Sequence, residues 1–358
     1  MRSMPVYKRA EVLTISRRLP SKWLLTALAL ALLPAVLLGL SQGAANLPLV
    51  DIIAALVKPS LSDTNQQAVL IVQEIRLPRV LLAATVGAIL ALSGAAMQGL
   101  FRNPLADPSL IGVTAGASLG AAIIIVVAGL NVSAEFQLPL ISAGAFAGGL
   151  LAVILVYRLA TSPNGTSVAT MLLAGIAITA LAGALGGLLE FQANNDMLRR
   201  ISLWKMGTID SASYSRLALA SVTCLILGLT IPRFAHALDA MLLGESEARH
   251  LGIDTDRVKR ILVILVALGV GVCVALAGTI AFVGLVVPHL VRLLIGPAHK
   301  ALLPASALAG ALLLVLADTM SRTLLAPAEI PVGIITAILG VPFFIVLLRQ
   351  RHQYGMQT

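Results

Sequence analysis

The sequence predicts an all-α polytopic membrane protein with about ten transmembrane helices. Hydrophobic residues make up 58% of the 358 residues and charged residues only 11%, with a mean hydropathy of +0.97. Soluble globular domains have a far more polar composition. The apolar residues lie in stretches of about 20, the length of a helix that crosses a ~30 Å hydrocarbon core. Strands of a transmembrane barrel would be about half as long and would alternate in polarity, so helices are favoured.

Charges, prolines and glycines divide the apolar sequence into ten spans, which follow a polar, basic N-terminal tail over residues 1–22. The first span is longer than the apolar core of a cleaved signal peptide, so it is predicted to be retained. The eighth span is short, contains Pro288 and is hardly separated from the seventh, so a re-entrant segment is the alternative there. A single transmembrane domain is predicted over 23–350, with spans near 23–41, 78–99, 109–129, 138–157, 167–189, 213–232, 260–281, 284–297, 302–323 and 332–349.

The basic residues predict the orientation of the chain. With an even number of spans both termini lie on one side, and all but eight of the 25 Lys and Arg residues then fall on that side. Because cytoplasmic loops carry the excess of positive charge, both termini are predicted to be cytoplasmic. The net charge of +9 is spread over many short loops, which argues against binding to nucleic acid. The eight exceptions are Lys58, Arg76, Arg79, Arg199, Arg200, Lys205, Arg216 and Arg322.

A weak internal similarity predicts a duplicated architecture. Segments 86–101 and 268–284 are both rich in regularly spaced Gly and Ala, and they lie in the second and seventh spans. Units displaced by five spans enter the membrane in opposite directions, so the prediction is two inverted five-helix repeats, a plan common in transporters. The alternative is the general likeness among Ala- and Gly-rich helices.

The chain lacks the residue patterns of an enzyme or a metal protein. Cys224 and Cys273 lie within apolar runs without metal-ligand spacing, so they are predicted to be packing residues and no metal site is expected. No Gly-Lys-Ser/Thr motif is present, so this chain is not expected to bind ATP through a phosphate-binding loop. Any nucleotide-driven step would require a separate protein.

The stretch FRNPLADPSLIG, residues 101–112, predicts a rigid cytoplasmic turn after the second span. Pro104 and Pro108 disfavour the α conformation at Asn103 and Asp107, so the helix must end before them. Asp107 is predicted to cap the following helix, with Pro108 at its first position.

The loop over residues 235–259 is the longest polar interruption between spans and predicts a short helix. Glu245 and Glu247 lie near its start and Arg249 and His250 near its end, which matches the helix dipole. Gly252 is placed as the left-handed residue that ends the helix. The apolar side of this helix indicates a partner, and a helix lying on its own bundle is the alternative. That side comprises Met241, Leu242, Leu243, Ala248 and Leu251.

The sequence resembles a known family in several long stretches. The stretch RLPRVLLAATVGAILALSGAAMQGLFRNPLADPSLIGVTAGASLG (76–120) is similar to the signature of FecCD-type permeases. These are membrane subunits of ATP-binding-cassette (ABC) importers for haem, ferric siderophores and cobalamin. The resemblance implies the fold of a type II ABC importer permease. It continues through LLGESEARHLGI (242–253), GTIAFVGLVVPHLVRLLIG (278–296), LLPASALAGALLLVLADTMSR (302–322) and EIPVGIITAILGVPFFIVLLRQR (329–351).

The resemblance implies partners and roles for particular residues. It implies a bacterial cytoplasmic (inner) membrane protein that pairs with a second copy, two ATPase subunits that bind ATP and Mg²⁺, and an extracytoplasmic substrate-binding protein. Arg76, Arg79 and Arg322 match positions that receive acidic residues of the binding protein, although snorkelling or internal pairing is the alternative. The loop residues that match the coupling helix, which docks on the ATPase, are Gly244, Glu245, Ala248, Leu251 and Gly252.

The predicted substrate is haem, carried as cargo and not as a bound cofactor. The stretches LWKMG (203–207) and FRNPLADPSLIG (101–112) look most like the haem branch of the family. LWKMG ends the outer segment NNDMLRRISLWKMG (194–207), whose basic residues could pair with carboxylates such as haem propionates. The alternatives are a ferric siderophore or cobalamin as substrate, or an interfacial helix with an anchoring Trp. The predicted pathway residues are Met197, Arg200, Trp204 and Met206.

Two other classes of protein fit the sequence less well. An ion-coupled secondary transporter usually carries ionisable residues inside the membrane, and here only Asp318 and Glu190 approach the interior of a span. An intramembrane enzyme would need a Ser-His or metal-ligand constellation within matched spans, which the sequence does not show. An ATP-driven permease without bond chemistry of its own is therefore the prediction.

Overall fold

The computed structural model describes residues 19–43, 45–57, 66–128, 133–163 and 165–353, and these are almost entirely helical. Most of the predicted N-terminal tail, up to residue 18, lies outside the described residues, as does Lys58. The helices and strands are α1 (Ser21–Ser41), α2 (Leu49–Val57), α3 (Gln66–Leu70), α4 (Leu77–Leu100), α5 (Val113–Ala128), α6 (Ala134–Ala160), β1 (Thr161–Ser162), β2 (Gly165–Thr166), α7 (Val168–Gln192), α8 (Asn195–Met206), α9 (Tyr214–Thr230), α10 (Ala235–Met241), α11 (Glu245–His250), α12 (Thr255–Ala277), α13 (Val283–Ile295), α14 (His299–Thr323) and α15 (Val332–Gln353).

Each of the ten predicted spans coincides with a helix, which confirms the fold class. Seven of the described helices are long and apolar enough to cross a membrane. Three shorter apolar helices, Val113–Val127, Val283–Ile295 and Val332–Val346, match the third, eighth and tenth predicted spans.

The eighth span crosses the bundle without re-entry. Helix α13 has 13 residues, and at a rise of 1.5 Å per residue it covers roughly 20 Å of a ~30 Å core. The non-helical segment 278–282 covers the rest, since Gly278 lies against Trp204 at one end of the bundle and Gly284 against Leu90 inside it. At the far end, Arg292 donates a hydrogen bond to Gln98.

Helix α4 is the centre of the bundle and packs against α9, α12, α13 and α14. Two of its glycines allow direct contact between backbones. A Cβ at Gly87 would overlap the carbonyl oxygen of Gly310 in α14, and one at Gly94 would overlap the carbonyl oxygen of Gly284 in α13. Small residues drive helix association in lipid in this way, because burial of apolar area gives no advantage there.

The packing of the helices is consistent with the predicted inverted repeat. If the ten spans are divided into two sets of five, α4 and α12 are the second helices and α6 and α14 the fourth. Helix α4 packs on α14, and α12 packs on α6. The second helix of each half therefore lies against the fourth helix of the other half.

The contact between Gly87 and Gly310 predicts a strong response to one added methyl group. Gly87→Ala would force α4 and α14 apart, and overpacking of this kind costs about 1–3 kcal/mol. Thermal unfolding of the detergent-solubilised protein should show a lower midpoint than wild type. The matched control is Gly228→Ala in α9, where nothing lies within 4 Å of the new Cβ. Equal midpoints for the two variants would contradict the close approach.

Candidate functional site

Two clusters of polar residues lie at opposite ends of the bundle. The predicted cytoplasmic face carries α10, α11 and the β1–β2 hairpin. The predicted outer face carries the C-terminal ends of α1 and α14, the N-terminal end of α4, and α8. These names follow the orientation that the sequence predicts.

The structure forms the predicted short helix as α11, between Glu245 and His250. Its acidic residues lie in the first turn and its basic residues in the last, as the helix dipole favours. Gly252 has a φ of +84°, the left-handed conformation expected after the helix end. Gly244, which precedes the helix, also has a positive φ, of +132°.

The apolar residues of this segment do not form one surface. Ala248 and Met241 are fully buried within the bundle, whereas Leu243 is 70% exposed and Leu251 63% exposed. The two buried residues hold the segment to the chain. The two exposed leucines remain on the surface of the predicted cytoplasmic face.

The sequence reading missed Lys259, which is the polar centre of the predicted cytoplasmic face. Lys259 is fully buried, and its ammonium group has three hydrogen-bond donors. It lies 2.6 Å from the carbonyl oxygen of Thr166 in the hairpin, 2.9 Å from Glu245 and 3.0 Å from Asp256. Arg249 adds a second cation, 3.4 Å from Asp256. The position of Lys259 near the start of an apolar helix could have indicated this cluster, because a buried cation there needs acceptors from other segments of the chain.

A pair of hydrogen bonds to Asp239 holds α10 to the start of α14. Nδ1 of the buried His299 lies 2.6 Å from Asp239, and the backbone N–H of His299 donates to the same carboxylate oxygen at 3.0 Å. The segment that contains α10 and α11 is thus tied to two different spans.

At the predicted outer face, Arg76 binds the end of α1. Its guanidinium group donates to the carbonyl oxygens of Leu40 and Ser41, at 2.7 and 2.9 Å, and also to that of Ala45. Only 5% of Arg76 is exposed. The carbonyl groups that the last turn of α1 leaves without helical partners are satisfied in this way.

Arg79 and Arg322 share the buried carboxylate of Asp318. Nε of Arg79 lies 3.0 Å from one oxygen and Nε of Arg322 lies 3.1 Å from the other. Arg79 also lies 2.9 Å from Glu329, and Arg322 donates to the carbonyl oxygens of Gly39 and Gln42. All three outer arginines are therefore bonded within the chain. Their docking role stays a prediction, and internal pairing accounts for their positions.

A cavity of about 350 Å³ opens beside this cluster at the predicted outer face. Arg200 and Trp204 from α8 line it together with Arg79, Arg216 and Glu329. Arg216, which the sequence reading did not select, donates to Ser211, Ser142 and the carbonyl oxygen of Leu276.

The other two predicted pathway residues do not line this cavity. Met197 is 8% exposed and packs with Ala122, Ile125 and Ile201 in a small apolar cluster. Met206 is 42% exposed at the end of α8. The structure thus brings together two of the four predicted pathway residues at one cavity.

The turn over residues 101–112 differs from the prediction in one respect. Asp107 accepts a hydrogen bond from the backbone N–H of Ser109, but it caps a single 3₁₀ turn, Pro108–Ile111, whereas α5 begins later, at Val113. Asn103 forms a similar local bond with the N–H of Leu105 two residues on, and half-buried Pro104 lies between them. Burial raises the pKa of Asp107, although the bond from Ser109 opposes this shift.

The described residues contain no group of three or more His, Cys, Asp or Glu side chains that could hold a metal ion. Cys273 is buried and Cys224 half-buried, and both are free thiols.

Comparison with known proteins shows that this chain is similar to transport proteins. The sequence pattern of the FecCD transport family matches residues 30–350. The chain is 48% identical over 290 residues to the hemin transport system permease protein HmuU of Yersinia pestis, covering 78% of this chain and 83% of the relative. It is 41% identical over 307 residues to the cobalamin import system permease protein BtuC of Halobacterium salinarum, covering 86% of this chain and 81% of the relative.

A solved structure, described as an inward-facing conformation of a metal-chelate type ABC transporter, has the same fold. The TM-score is 0.79 and the sequence identity 32%, and the match covers 92% of this chain and 99% of the other.

The shared carboxylate of Asp318 predicts a large loss of stability when it is neutralised. Asp318→Asn would leave two buried guanidinium groups with one anion fewer, and breaking a buried ion pair costs about 3–5 kcal/mol. The matched control is Glu190→Gln. Glu190 pairs with Lys205, both side chains are more than a third exposed, and such surface pairs contribute about 1 kcal/mol or less. Thermal unfolding of both variants in detergent tests this, and the midpoint of Asp318→Asn should be the lower one. Similar midpoints for the two variants would show that the buried carboxylate of Asp318 does not stabilise the fold.

Proposed function

This chain belongs to the FecCD transport family, and from that premise we propose that it is the permease subunit of an ATP-driven haem importer. It is a multi-pass membrane protein of the ABC importer permease class.

The proposed machine contains two copies of this chain, two ATPase subunits and a binding protein. ATP and Mg²⁺ bind to the ATPases, and the permease itself catalyses no bond chemistry. The exposed Leu243 and Leu251 beside α11 support an ATPase contact at the predicted cytoplasmic face. The exposed apolar side chains of α7, including Phe191 at 89%, provide a surface for the second copy. Both termini lie in the cytoplasm and the protein spans a bacterial inner membrane.

Transport proceeds by a change in which side of the pathway is open. Binding of ATP moves the ATPases, and α11 with Gly244, Glu245, Ala248, Leu251 and Gly252 transmits that motion to the spans. A ligand can shift such an equilibrium only through different contacts in the two states. The ATPase contact at α11 supplies that difference on one face, and the binding protein supplies it on the other.

We propose haem as the substrate because the chain is 48% identical to the hemin permease of Yersinia pestis. The outer cavity agrees with it, because Arg200 and Arg216 offer cations for carboxylates and Trp204 offers an aromatic surface. Met197 and Met206 remain proposed pathway residues on the same helix. The 41% identity to a cobalamin permease makes cobalamin the second candidate, and a ferric siderophore is the third.

Docking of the binding protein is proposed at Arg76, Arg79 and Arg322, as the family resemblance implies. The three arginines bring three positive charges and the neighbouring Asp318 and Glu329 bring two negative charges, which leaves an excess of one. That excess supports attraction of an acidic partner, and such charges mainly speed and orient encounter.

The first experiment is ATP-driven uptake into proteoliposomes that contain this permease with its ATPase and binding protein. Haem, a ferric siderophore and cobalamin are compared under the same conditions. Selective uptake of haem is expected. Selective uptake of another substrate would overturn the assignment of haem, and uptake that needs a proton gradient but no ATP would overturn the machine itself.

The left-handed residue after α11 gives a test of the coupling segment. Gly252→Val would strain a backbone at φ +84°, at a cost of about 1–3 kcal/mol, and would unwind the end of α11. We expect uptake per ATP hydrolysed to fall. Gly252→Asn is the matched control because Asn tolerates this conformation. Wild-type coupling in the Val variant, with the permease folded, would show that this helix end does not transmit the motion.

A further inference from the structure

The ammonium group of Lys259, near the start of α12, binds acceptors in its own helix, in α11 14 residues earlier and in the hairpin 93 residues earlier, and none of the roles above uses it. The acceptors are the carbonyl oxygen of Thr166 in the hairpin, the carboxylate of Glu245 in α11, and the carboxylate of Asp256 in the first turn of α12. The three donors of the ammonium group therefore have three acceptors. The contact is specific, because an apolar side chain could fill the space but could hold none of these groups.

The hairpin is itself tied to Asp256, which prevents it from moving independently of the cluster. The backbone N–H of Thr166 donates to Asp256 at 3.1 Å, so both polar backbone groups of Thr166 are bound to the cluster. Within the hairpin, Thr161 pairs with Thr166 and Ser162 with Gly165. A displacement of the cluster would therefore carry the hairpin with it.

The hairpin leads directly into α7. Ser167 follows Thr166, and its hydroxyl accepts the backbone N–H of Thr170, which caps the first turn of α7. The N–H of Ser167 donates to the carbonyl oxygen of Ala160 at the end of α6. The chain of direct contacts thus runs from α11 through Lys259 to the start of α7.

Stabilisation of the folded state does not by itself explain why these charged groups are buried together. The loss of hydration of buried charges offsets most of their attraction, and well-packed apolar replacements are often neutral or stabilising. Such a charge cluster instead holds the three segments in one defined arrangement. Contiguous contacts of this kind can carry coupling between distant parts of a protein.

We propose that Lys259 is the positioning residue that links the coupling helix α11 to α7. When the ATPases displace α11, the Glu245–Lys259–Thr166 contacts move the hairpin and the N-terminal end of α7, whose exposed surface faces the second copy or the lipid. The inference rests on the proposed function, because it requires an ATPase at the predicted cytoplasmic face.

The test compares three variants of the full-length permease, assembled with its ATPase and binding protein. Lys259→Met keeps the length of the side chain and removes all three donors. Asp256→Asn keeps the size of the side chain and removes one charge, which gives a milder change if the first variant folds poorly. Lys300→Met is the matched control, because Lys300 is exposed at the same face and its loss breaks no buried contact described above.

Two readouts separate coupling from mere folding. Uptake per ATP hydrolysed should fall about fivefold or more in Lys259→Met, while the permease still binds its ATPase and retains a cooperative thermal transition. Hydrogen–deuterium exchange at 161–170 should become about tenfold faster, without a matching change in α4. Asp256→Asn should show smaller changes in the same direction, and Lys300→Met should behave as wild type.

The outcomes distinguish this inference from the proposed function. If the wild type transports with ATP and both Lys259→Met and Asp256→Asn keep its coupling ratio, the link through Lys259 is wrong. If Lys259→Met loses coupling while exchange at 161–170 is unchanged, the path through the hairpin is wrong. If the wild type transports none of the three substrates with ATP, the proposed function fails, whereas the exchange data still decide whether Lys259 holds the hairpin.

Discussion

The direct contact of the α4 backbone with α13 and α14 is the constraint on which the rest of the bundle depends. Gly87 and Gly94 lie where no side chain fits, so the three helices have one separation and one register along their axes. That register places Arg79 beside Asp318 at one end of α4 and Gln98 beside Arg292 at the other. The two polar faces of the protein are therefore positioned by a contact that contains no polar side chain.

Burial within the protein explains why so many polar groups are bonded within the chain. Arg76, Arg322 and Lys259 are almost completely buried, so each needs a partner inside the protein in place of water. Arg76 and Arg322 satisfy carbonyls of α1, and Lys259 satisfies one carbonyl and two carboxylates. These groups make the outer and cytoplasmic ends specific, whereas the interior is held by small residues at close range.

The sequence predicted the ten spans because charges, prolines and glycines separate the apolar stretches, and it predicted the ends of α11 because charges and Gly252 mark them locally. It did not predict the Lys259 cluster, since one acceptor lies 93 residues away, or the internal bonds of Arg79, whose partner Asp318 is 239 residues away. Local sequence also misplaced the start of α5, because an aspartate before a proline begins a 3₁₀ turn as readily as an α-helix. Short-range signals were sufficient for the helices, and long-range pairing required the fold.

The bonds at the end of α1 have a consequence for the order in which the protein is made. The carbonyl groups of Gly39 and Gln42 are bound by Arg322, which follows them by about 280 residues. A ribosome inserts α1 long before it synthesises α14, and the chain grows in one direction. Arg76 can hold Leu40 and Ser41 as soon as α4 arrives, but the last turn of α1 is completed only when the ninth span enters the membrane. Assembly of this face is therefore a late step in biogenesis, and truncated chains that end before residue 322 carry an unfinished first helix.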